Sequence, residues 1–155
     1  MKLILFITLL SFAFSSRFKL KTDKEVYQKI DELERTGKEL IIQLRKQVKY
    51  CQHPIQLGDY VSVHYNGTLS DGAVFDTTSF KGEPFSFQIG TQKVIQGWER
   101  GLLGRCKGEE LTLIIPSHLG YGSADNGVIP PNSILYFDIS VEQVTAFTHQ
   151  YQNYN

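Results

Sequence analysis

The chain has 155 residues, of which 41% are hydrophobic and 12% aromatic, and 16 basic residues balance 16 acidic ones. This length and apolar content are typical of one globular domain with a core of its own. Because the formal net charge is zero, the composition gives no electrostatic support for binding to nucleic acid or to an anionic membrane surface.

Residues 1–15 are predicted to be a secretory signal peptide. Lys2 precedes the apolar run LILFITLLSFAF, and Ser15 and Ser16 follow it, which is the basic start, apolar centre and small-residue end of such a signal. The run is shorter than the ~20 residues that span a bilayer, and a buried N-terminal strand is the alternative interpretation. We expect cleavage after Ser15, or alternatively after Ala13, and a mature protein of the secretory pathway with no membrane span.

Cysteine content and a sequon fit that compartment. The two cysteines are Cys51 and Cys106, and a single pair in an oxidising environment most simply forms one disulfide. Asn66-Gly67-Thr68 is an N-glycosylation sequon, so Asn66 is a candidate glycosylation site. The alternative interpretation is a tight β-turn, because Asn-Gly is the commonest turn pair.

Residues 16–38 are predicted to be a helical extension. Thr22 and Glu25 have the spacing of a capping box, and Gly37 suits a helix end. Apolar residues recur between them at helical intervals: Val26, Ile30 and Leu33. Continued through Leu40 and Leu44, this spacing would instead form a dimerising coiled coil. The alternation that begins at Leu40 favours a short helix followed by a strand.

The following segments have the period-two alternation of a β-sheet. The predicted strands are Leu40–Tyr50, Tyr60–Leu69, Val74–Asp76, Pro84–Ile89, Glu109–Ile115 and Ile134–Val141. In the first strand Leu40, Ile42 and Leu44 are expected to form the buried face. In the second strand Val61 and Val63 should face the core, and Ser70-Asp71-Gly72 then predicts a hairpin turn.

A short helix is predicted within Gly90–Gly104, which contains the only tryptophan. The apolar residues of this stretch have helical spacing: Val94, Ile95, Trp98, Leu102 and Leu103. The glycines at positions 97, 101 and 104 disfavour a helix but allow it to lie close to a sheet. Trp98 should therefore point inward. The loop 117–132 is long enough to suggest a function, and residues 145–155 are expected to be a disordered tail.

Catalytic constellations are missing from the sequence. The histidines at positions 53, 64, 118 and 149 have no metal-ligand spacing, so neither a metal nor another cofactor is expected. Asp71 and Asp76 look like turn and strand-end residues rather than a glycosidase pair. The abundant aromatic residues suggest an apolar pocket with a few hydrogen-bonding groups, which would bind an apolar ligand or side chain.

Four segments carry a resemblance to a known family: VSVHYNGTLSDGAVFD, EPFSFQIGTQKVIQGWERGLLG, LTLIIPSHLGYG and VIPPNSILYFDISV. In this order and spacing they resemble the FKBP family of macrolide-binding peptidyl-prolyl isomerases, over residues 39–145. They are most similar to its secreted, endoplasmic-reticulum branch, in which cysteines at the positions of Cys51 and Cys106 pair. The resemblance implies an α+β fold, an antiparallel curved sheet (half-barrel) wrapped on one short helix.

The resemblance also implies the site residues. The catalytic set would be Tyr65, Phe75, Asp76, Trp98, Tyr121 and Phe137, and the substrate- or macrolide-binding set would be Phe85, Val94, Ile95 and Ile129. Trp98 would be the pocket floor, and the Ile95 N–H, the Asp76 carboxylate and the Tyr121 hydroxyl its polar contacts. Two departures concern the rim: the loop after Tyr121 is one residue shorter, with Asp125 or Asn126 in place of a histidine, and Lys93 replaces an acidic residue.

The implied function is peptidyl-prolyl cis-trans isomerisation during the folding of secretory proteins. The expected partners are proline-containing polypeptides and the macrolides tacrolimus and rapamycin, and a homodimer or client-docking surface at the N-terminal helix is a further expectation. The alternative is a proline- or macrolide-binding module or chaperone with little turnover. The chain ends Gln152-Asn153-Tyr154-Asn155, without a KDEL-type signal, so both the reticulum lumen and export stay open.

Overall fold

The computed structural model describes residues 38–80, 82–125 and 127–147, together with the helical residues Gln28 and Thr36. The predicted signal peptide and residues 148–155 lie outside the described residues, and so does nearly all of the helical extension with its proposed dimer surface. These parts of the sequence interpretation stay predictions.

Six strands and one short α-helix form the domain. In chain order they are β1 (Ile41–Lys46), β2 (Tyr60–Thr68), β3 (Val74–Thr77), β4 (Phe85–Gln88), α1 (Gln96–Gly101), β5 (Glu110–Ile115), a 3₁₀ turn (Ser117–Leu119) and β6 (Leu135–Thr145). The strands form one sheet in the order β1-β5-β6-β2-β3, with β4 also pairing with β2. Every pair is antiparallel, which confirms the predicted α+β sheet with one short helix.

Strand β2 is the central element of the sheet. It pairs with β6 along its whole length, from Tyr60 to Thr68. On its other edge its first half pairs with β4 and its second half with β3. Val61 and Val63 are fully buried, as the alternation predicts. The divided edge places Tyr65 at the junction of the β3 and β4 pairings.

Helix α1 lies tightly against β5 because two of its residues have no side chain. A Cβ added at Gly97 would lie 2.5 Å from Ile115 Cγ2, and one added at Gly101 would lie 2.6 Å from Leu113 Cδ2. Both distances are shorter than real Cβ contacts, so glycine is required for this approach. Trp98, between them, is 4% exposed. The predicted inward tryptophan and the close helix–sheet contact are thus confirmed.

The main core lies between the helix and one face of the sheet. Its buried residues include Ile55, Val61, Val63, Phe87, Ile89, Trp98, Leu102, Leu111, Leu113, Ile115, Leu119, Ile129, Leu135, Phe137, Ile139 and Val141. A second, smaller cluster joins Ile41 and Ile114 with the partly buried Ile134 and Tyr136.

The predicted burial of the first strand is wrong in part. Ile42 is 42% exposed, whereas its neighbour Ile41 is buried against Ile114 in the smaller cluster. Leu40 and Leu44 are only partly buried against the main core. β1 also ends at Lys46 rather than Tyr50. As the edge strand of the sheet, β1 divides its apolar side chains between the two faces instead of burying one.

Two further corrections concern β2 and α1. Asn66 and Gly67 are paired on both sides within β2, so the interpretation of this pair as a tight turn is wrong. The turn comes later, where Gly72 adopts a φ of 85° and its N–H donates to the Leu69 carbonyl at 3.0 Å, as predicted from Ser70-Asp71-Gly72. α1 is shorter than its apolar spacing suggests, because Ile95 is extended.

The N-terminal part of the domain is joined to the rest at several points. The predicted pairing of Cys51 with Cys106 is confirmed, with their Cα atoms 5.8 Å apart. The buried Asp59 carboxylate accepts hydrogen bonds from the Gln56 N–H at 2.9 Å and from the Phe147 N–H at 3.0 Å, and His53 Nε2 lies 2.6 Å from it. The disordered tail predicted from residue 145 is therefore wrong at its start, because Thr145 lies in β6 and the Phe147 N–H is hydrogen-bonded to Asp59.

Candidate functional site

The site begins at the N-terminus of α1. Ile95 is the N-cap residue, with φ −60° and ψ 151°, and its carbonyl accepts the N–H groups of Trp98 and Glu99 at 3.0 and 3.2 Å. No acceptor among the described residues binds the Ile95 N–H, which is therefore free to donate to a ligand. The Glu99 carboxylate turns back and accepts the N–H groups of Gly90 and Gln92 at 2.6 and 3.0 Å. These two bonds fix the segment that precedes the helix.

Aromatic rings surround Trp98. Its ring centroid lies 5.0 Å from Tyr65, 5.2 Å from Phe137 and 5.7 Å from Phe87. The first two pairs are edge-to-face, with interplanar angles of 84° and 87°, an arrangement that aromatic quadrupoles favour. Phe85 completes the group, 6.2 Å from Tyr65. Trp98 is thus held from β2, β4 and β6 at once.

Gly67 allows Phe75 and Phe137 to meet. Their centroids are 5.4 Å apart at 89°. A Cβ at position 67 would lie 2.9 Å from Phe137 Cε1 and 2.9 Å from Phe75 Cζ. The strand that supplies Tyr65 therefore needs a glycine two residues later, so that the two phenylalanine rings can lie over its backbone.

Tyr65 and Asp76 form the principal polar contact of the site. The Tyr65 hydroxyl donates to Asp76 Oδ2 at 2.6 Å. The backbone of Tyr65 is held in turn by Thr77 and Thr78, whose hydroxyls donate to its carbonyl at 3.0 and 3.3 Å. Burial and the neighbouring Asp76 carboxylate raise the pKa of Tyr65 well above its ordinary value. The phenol is therefore protonated at neutral pH and acts as a hydrogen-bond donor rather than a base.

Tyr121 comes from the loop after β5. The 3₁₀ turn Ser117–Leu119 begins this loop, and the Ser117 carbonyl accepts the N–H groups of Gly120 and Gly122 at 2.9 and 2.8 Å. The loop closes where the Asn132 N–H donates to the Gly122 carbonyl at 2.8 Å. Burial, and to a lesser extent the Asp76 charge, raises the pKa of Tyr121. Its hydroxyl has no protein partner among the described residues, so it can bond a ligand.

These elements enclose a cavity of about 540 Å³, lined by Tyr65, Asp76, Phe85, Gln92, Lys93, Val94, Ile95, Trp98, Tyr121 and Phe137. The structure thus brings together eight of the ten residues expected at the pocket. The other two do not line the cavity: Phe75 packs against Phe137, and Ile129 is 5% exposed in the core. The free N–H and hydroxyl groups stand among aromatic walls, which suits a compact apolar group flanked by carbonyls.

Sequence reasoning missed three contributors: Gln92, Glu99 and Gly67. Gln92 lines the cavity and has a φ of 57°. Its position directly before Lys93 could have identified it as a cavity residue. The Glu99 bonds to the preceding loop span only seven to nine residues, so an acidic residue in the first helical turn could have indicated them. The role of Gly67 depends on contacts between three strands, which local pattern does not reveal.

Comparison with known proteins identifies the family. Residues 51–142 match the model of the FKBP-type peptidyl-prolyl cis-trans isomerase family, and this range contains every residue that lines the cavity. The chain belongs to this family.

Relatives of this FKBP domain come from fungi, plants and animals. It is 51% identical over 88 residues to FK506-binding protein 2 of Yarrowia lipolytica, covering 56% of the chain and 61% of that protein. It is 44% identical over 108 residues to FK506-binding protein 2 of Kluyveromyces lactis (68% and 77%). It is 40% identical over 114 residues to human peptidyl-prolyl cis-trans isomerase FKBP2 (72% and 79%). The match therefore spans less than two thirds of the Yarrowia relative's length.

The two rim positions at which the sequence was expected to depart from the family pattern lie differently relative to the cavity. Lys93 lines the cavity. Asp125 does not, and its carboxylate instead accepts the Gly127 N–H at 2.9 Å within the exposed loop, while Asn126 lies outside the described residues. Of these two positions, only Lys93 contributes a side chain to the lining of the described cavity.

The described residues contain neither a cluster of metal ligands nor a helix suited to crossing a membrane. Within 38–80, 82–125 and 127–147, no three His, Cys, Asp or Glu side chains lie close enough together to bind a metal ion. Over the same part of the chain, no helix has both the length and the apolar character to cross a membrane.

Proposed function

We propose that this FKBP-family domain is a peptidyl-prolyl cis-trans isomerase that assists the folding of polypeptides in the secretory pathway. The observation that carries the proposal is the aromatic cavity over Trp98, with the free Ile95 N–H and Tyr121 hydroxyl among the residues that line it. A prolyl ring is a compact apolar group, and it is flanked on both sides by backbone carbonyls that such donors can bind.

The reaction needs no covalent step. Rotation about an X–Pro bond has a barrier of ~18–20 kcal/mol, because the planar amide is stabilised by resonance. At the twisted transition state the amide has lost this resonance and much of its dipole. An apolar cavity therefore disfavours the planar, strongly solvated ground state relative to the twisted one, which lowers the barrier.

Each group has a defined part in this proposal. Trp98, Phe137 and Tyr65 hold the prolyl ring, and Phe75 packs against Phe137. Val94 and Phe85 bound the cavity at its sides. The Ile95 N–H and the Tyr121 hydroxyl orient the flanking carbonyls.

Asp76 acts as a positioning residue rather than a base. Its carboxylate accepts the Tyr65 hydroxyl, which fixes the ring of Tyr65 against Trp98. The raised pKa of Tyr65 keeps that hydroxyl protonated, so the pair remains hydrogen-bonded over the physiological pH range. Proton transfer to the substrate has no place in the mechanism.

The disulfide supports a location in the oxidising secretory pathway. The relatives named FK506-binding protein 2 and FKBP2 support the same branch of the family. We propose the endoplasmic reticulum lumen or the exterior as the site of action. Tacrolimus and rapamycin are the proposed macrolide ligands, which would compete with the prolyl ring for the cavity.

The test is catalysed isomerisation of a short Leu-Pro peptide by the oxidised protein from Ser16 onward. Tyr121→Phe removes one hydroxyl from the cavity and should lower kcat/KM by about 2- to 10-fold, the equivalent of a hydrogen bond worth ~0.5–1.5 kcal/mol. Tyr50→Phe is the matched control, because Tyr50 is 78% exposed and does not line the cavity. Phe137→Ala should reduce the rate further.

This assay distinguishes an isomerase from a binding module with little turnover. Acceleration that rapamycin abolishes and Tyr121→Phe weakens would support an isomerase that works through this cavity. Rapamycin binding without acceleration would instead support the alternative, a proline-binding module or chaperone with little turnover.

A further inference from the structure

The cavity contains two formally charged side chains, and they differ in their partners. Asp76 lies on the sheet side and accepts the Tyr65 hydroxyl at 2.6 Å. Lys93 lies on the segment before α1. Among the described residues, no carboxylate oxygen lies within 4.0 Å of the Lys93 ammonium. Asp76 positions Tyr65 in the proposed isomerisation, whereas the charge of Lys93 takes no part in it.

The backbone beside Lys93 is held in place. Gln92 adopts a φ of 57°, a conformation that is uncommon for a residue with a side chain. Its N–H donates to the Glu99 carboxylate at 3.0 Å, and the Gly90 N–H donates to the same carboxylate at 2.6 Å. The nearest acidic side chain in sequence is therefore engaged by two backbone amides. The base of the lysine is fixed, while its ammonium remains exposed at the cavity.

The short distance between Lys93 and Ile95 determines which substrate side chains the Lys93 ammonium can contact. Two residues of chain span at most about 7 Å, so the Cα of Lys93 lies within that distance of the Cα of Ile95. The Ile95 N–H is the proposed donor to a carbonyl beside the proline. A flexible lysine side chain based this close can reach the side chains that immediately flank that proline.

We propose that Lys93 makes this domain prefer X–Pro segments that carry an acidic side chain within two residues of the proline. The inference rests on the proposed isomerase function and adds a substrate class to it. A substrate carboxylate would give the unpaired ammonium its partner, whereas a basic side chain would be repelled. Because the pair is exposed to solvent, the preference should be about 1.5- to 5-fold in kcat/KM at low salt.

The experiment uses the full mature chain and capped peptides with a Leu-Pro core. Glu, Gln or Lys is placed in turn at each position within two residues of the proline, and kcat and KM are measured at low and at about 1 M salt. At one or more positions, kcat/KM should be highest for the Glu peptide, intermediate for Gln and lowest for Lys. This difference should disappear at high salt. The effect should lie mainly in KM, because the ion pair forms equally in ground and transition states.

Variants assign the preference to one side chain. Lys93→Gln should bring the ratio of kcat/KM for the Glu and Gln peptides to about one. Lys93→Glu should make the Lys peptide the best substrate and the Glu peptide the poorest. Lys107→Gln is the matched control: it removes the same charge from a lysine that bonds Gln143 at 2.6 Å beside the disulfide, outside the cavity. Its ratio should equal that of the unmodified protein.

Three results would overturn the inference. Equal rates for Glu and Gln peptides, or a preference that persists in Lys93→Gln, would overturn the role of Lys93 while leaving the isomerase proposal intact. No acceleration of the Gln peptides would overturn the isomerase proposal, and the inference with it.

Discussion

Gly97→Ala tests whether the contact between α1 and β5 depends on glycine. The new methyl would lie 2.5, 2.6 and 2.8 Å from three side-chain atoms of Ile115, well inside the ~3.5–4.0 Å optimum for carbon atoms. Ile115 is 0% exposed, so it cannot move into solvent. Overpacking costs ~1–3 kcal/mol, and the better helix propensity of alanine returns at most ~1 kcal/mol. We expect a net loss of about 1–2 kcal/mol.

Urea unfolding followed by fluorescence measures this change, because Trp98 is the only tryptophan and is 4% exposed. In a thermal melt the same loss should lower the Tm by about 2–8 °C, because 1 kcal/mol corresponds to about 2–4 °C in a chain of this size. Gln96→Ala, on the exposed side of α1, is the control and should change the free energy of unfolding by less than ~0.5 kcal/mol. Ile115→Ala removes the three contacting atoms, so a double-mutant cycle should show favourable coupling of ~1–2 kcal/mol. A stabilising Gly97→Ala, or zero coupling, would refute the reasoning.

Three further predictions concern the disulfide, the buried carboxylate and the pocket wall. Replacing Cys51 and Cys106 by serine opens a loop of 55 residues and should lower the free energy of unfolding by roughly 4 kcal/mol, measured by urea unfolding under oxidising conditions. Burial by itself would raise the pKa of Asp59, but hydrogen bonds from Gln56, Phe147 and His53 outweigh burial and hold this pKa below its usual value. Asp59→Asn should therefore lower the free energy of unfolding most above pH ~4. This loss, relative to the unmodified protein, should shrink as pH falls through the lowered folded-state pKa of Asp59. A loss of stability that grows in acid would contradict the prediction. Gly67→Ala would crowd Phe75 and Phe137 and should cost ~1–3 kcal/mol together with much of kcat/KM, so unchanged melting and peptide isomerisation would contradict the proposed wall.

Much of the architecture could be predicted because it depends on local pattern. Alternation located β2, the spacing around Trp98 located α1, and Ser70-Asp71-Gly72 located its hairpin turn. The buried carboxylate Asp59 was not predicted, because its partners at Gln56 and Phe147 stand 3 and 88 residues away. Nothing in the sequence near Asp59 indicates the second of them.

Long-range pairing also explains the errors. Asn66-Gly67 has the local form of a turn, but pairing with both β3 and β6 keeps these residues extended. β6 runs to Thr145, past the predicted end at Val141, because β2 continues to offer it partners down to Tyr60. Val94 and Ile95 share the apolar spacing of the helix but precede it and line the cavity. Periodicity alone cannot separate a helical face from an apolar rim that adjoins it.

Two consecutive residues of α1 have complementary tasks. Trp98 forms the base of the cavity, and Glu99 holds the amides of Gly90 and Gln92 that lead to its mouth. Base and mouth are therefore attached to one turn of helix. Because Gly97 and Gly101 bring this turn into direct contact with β5, a substitution that displaces α1 from β5 should disturb the base and the mouth of the cavity together.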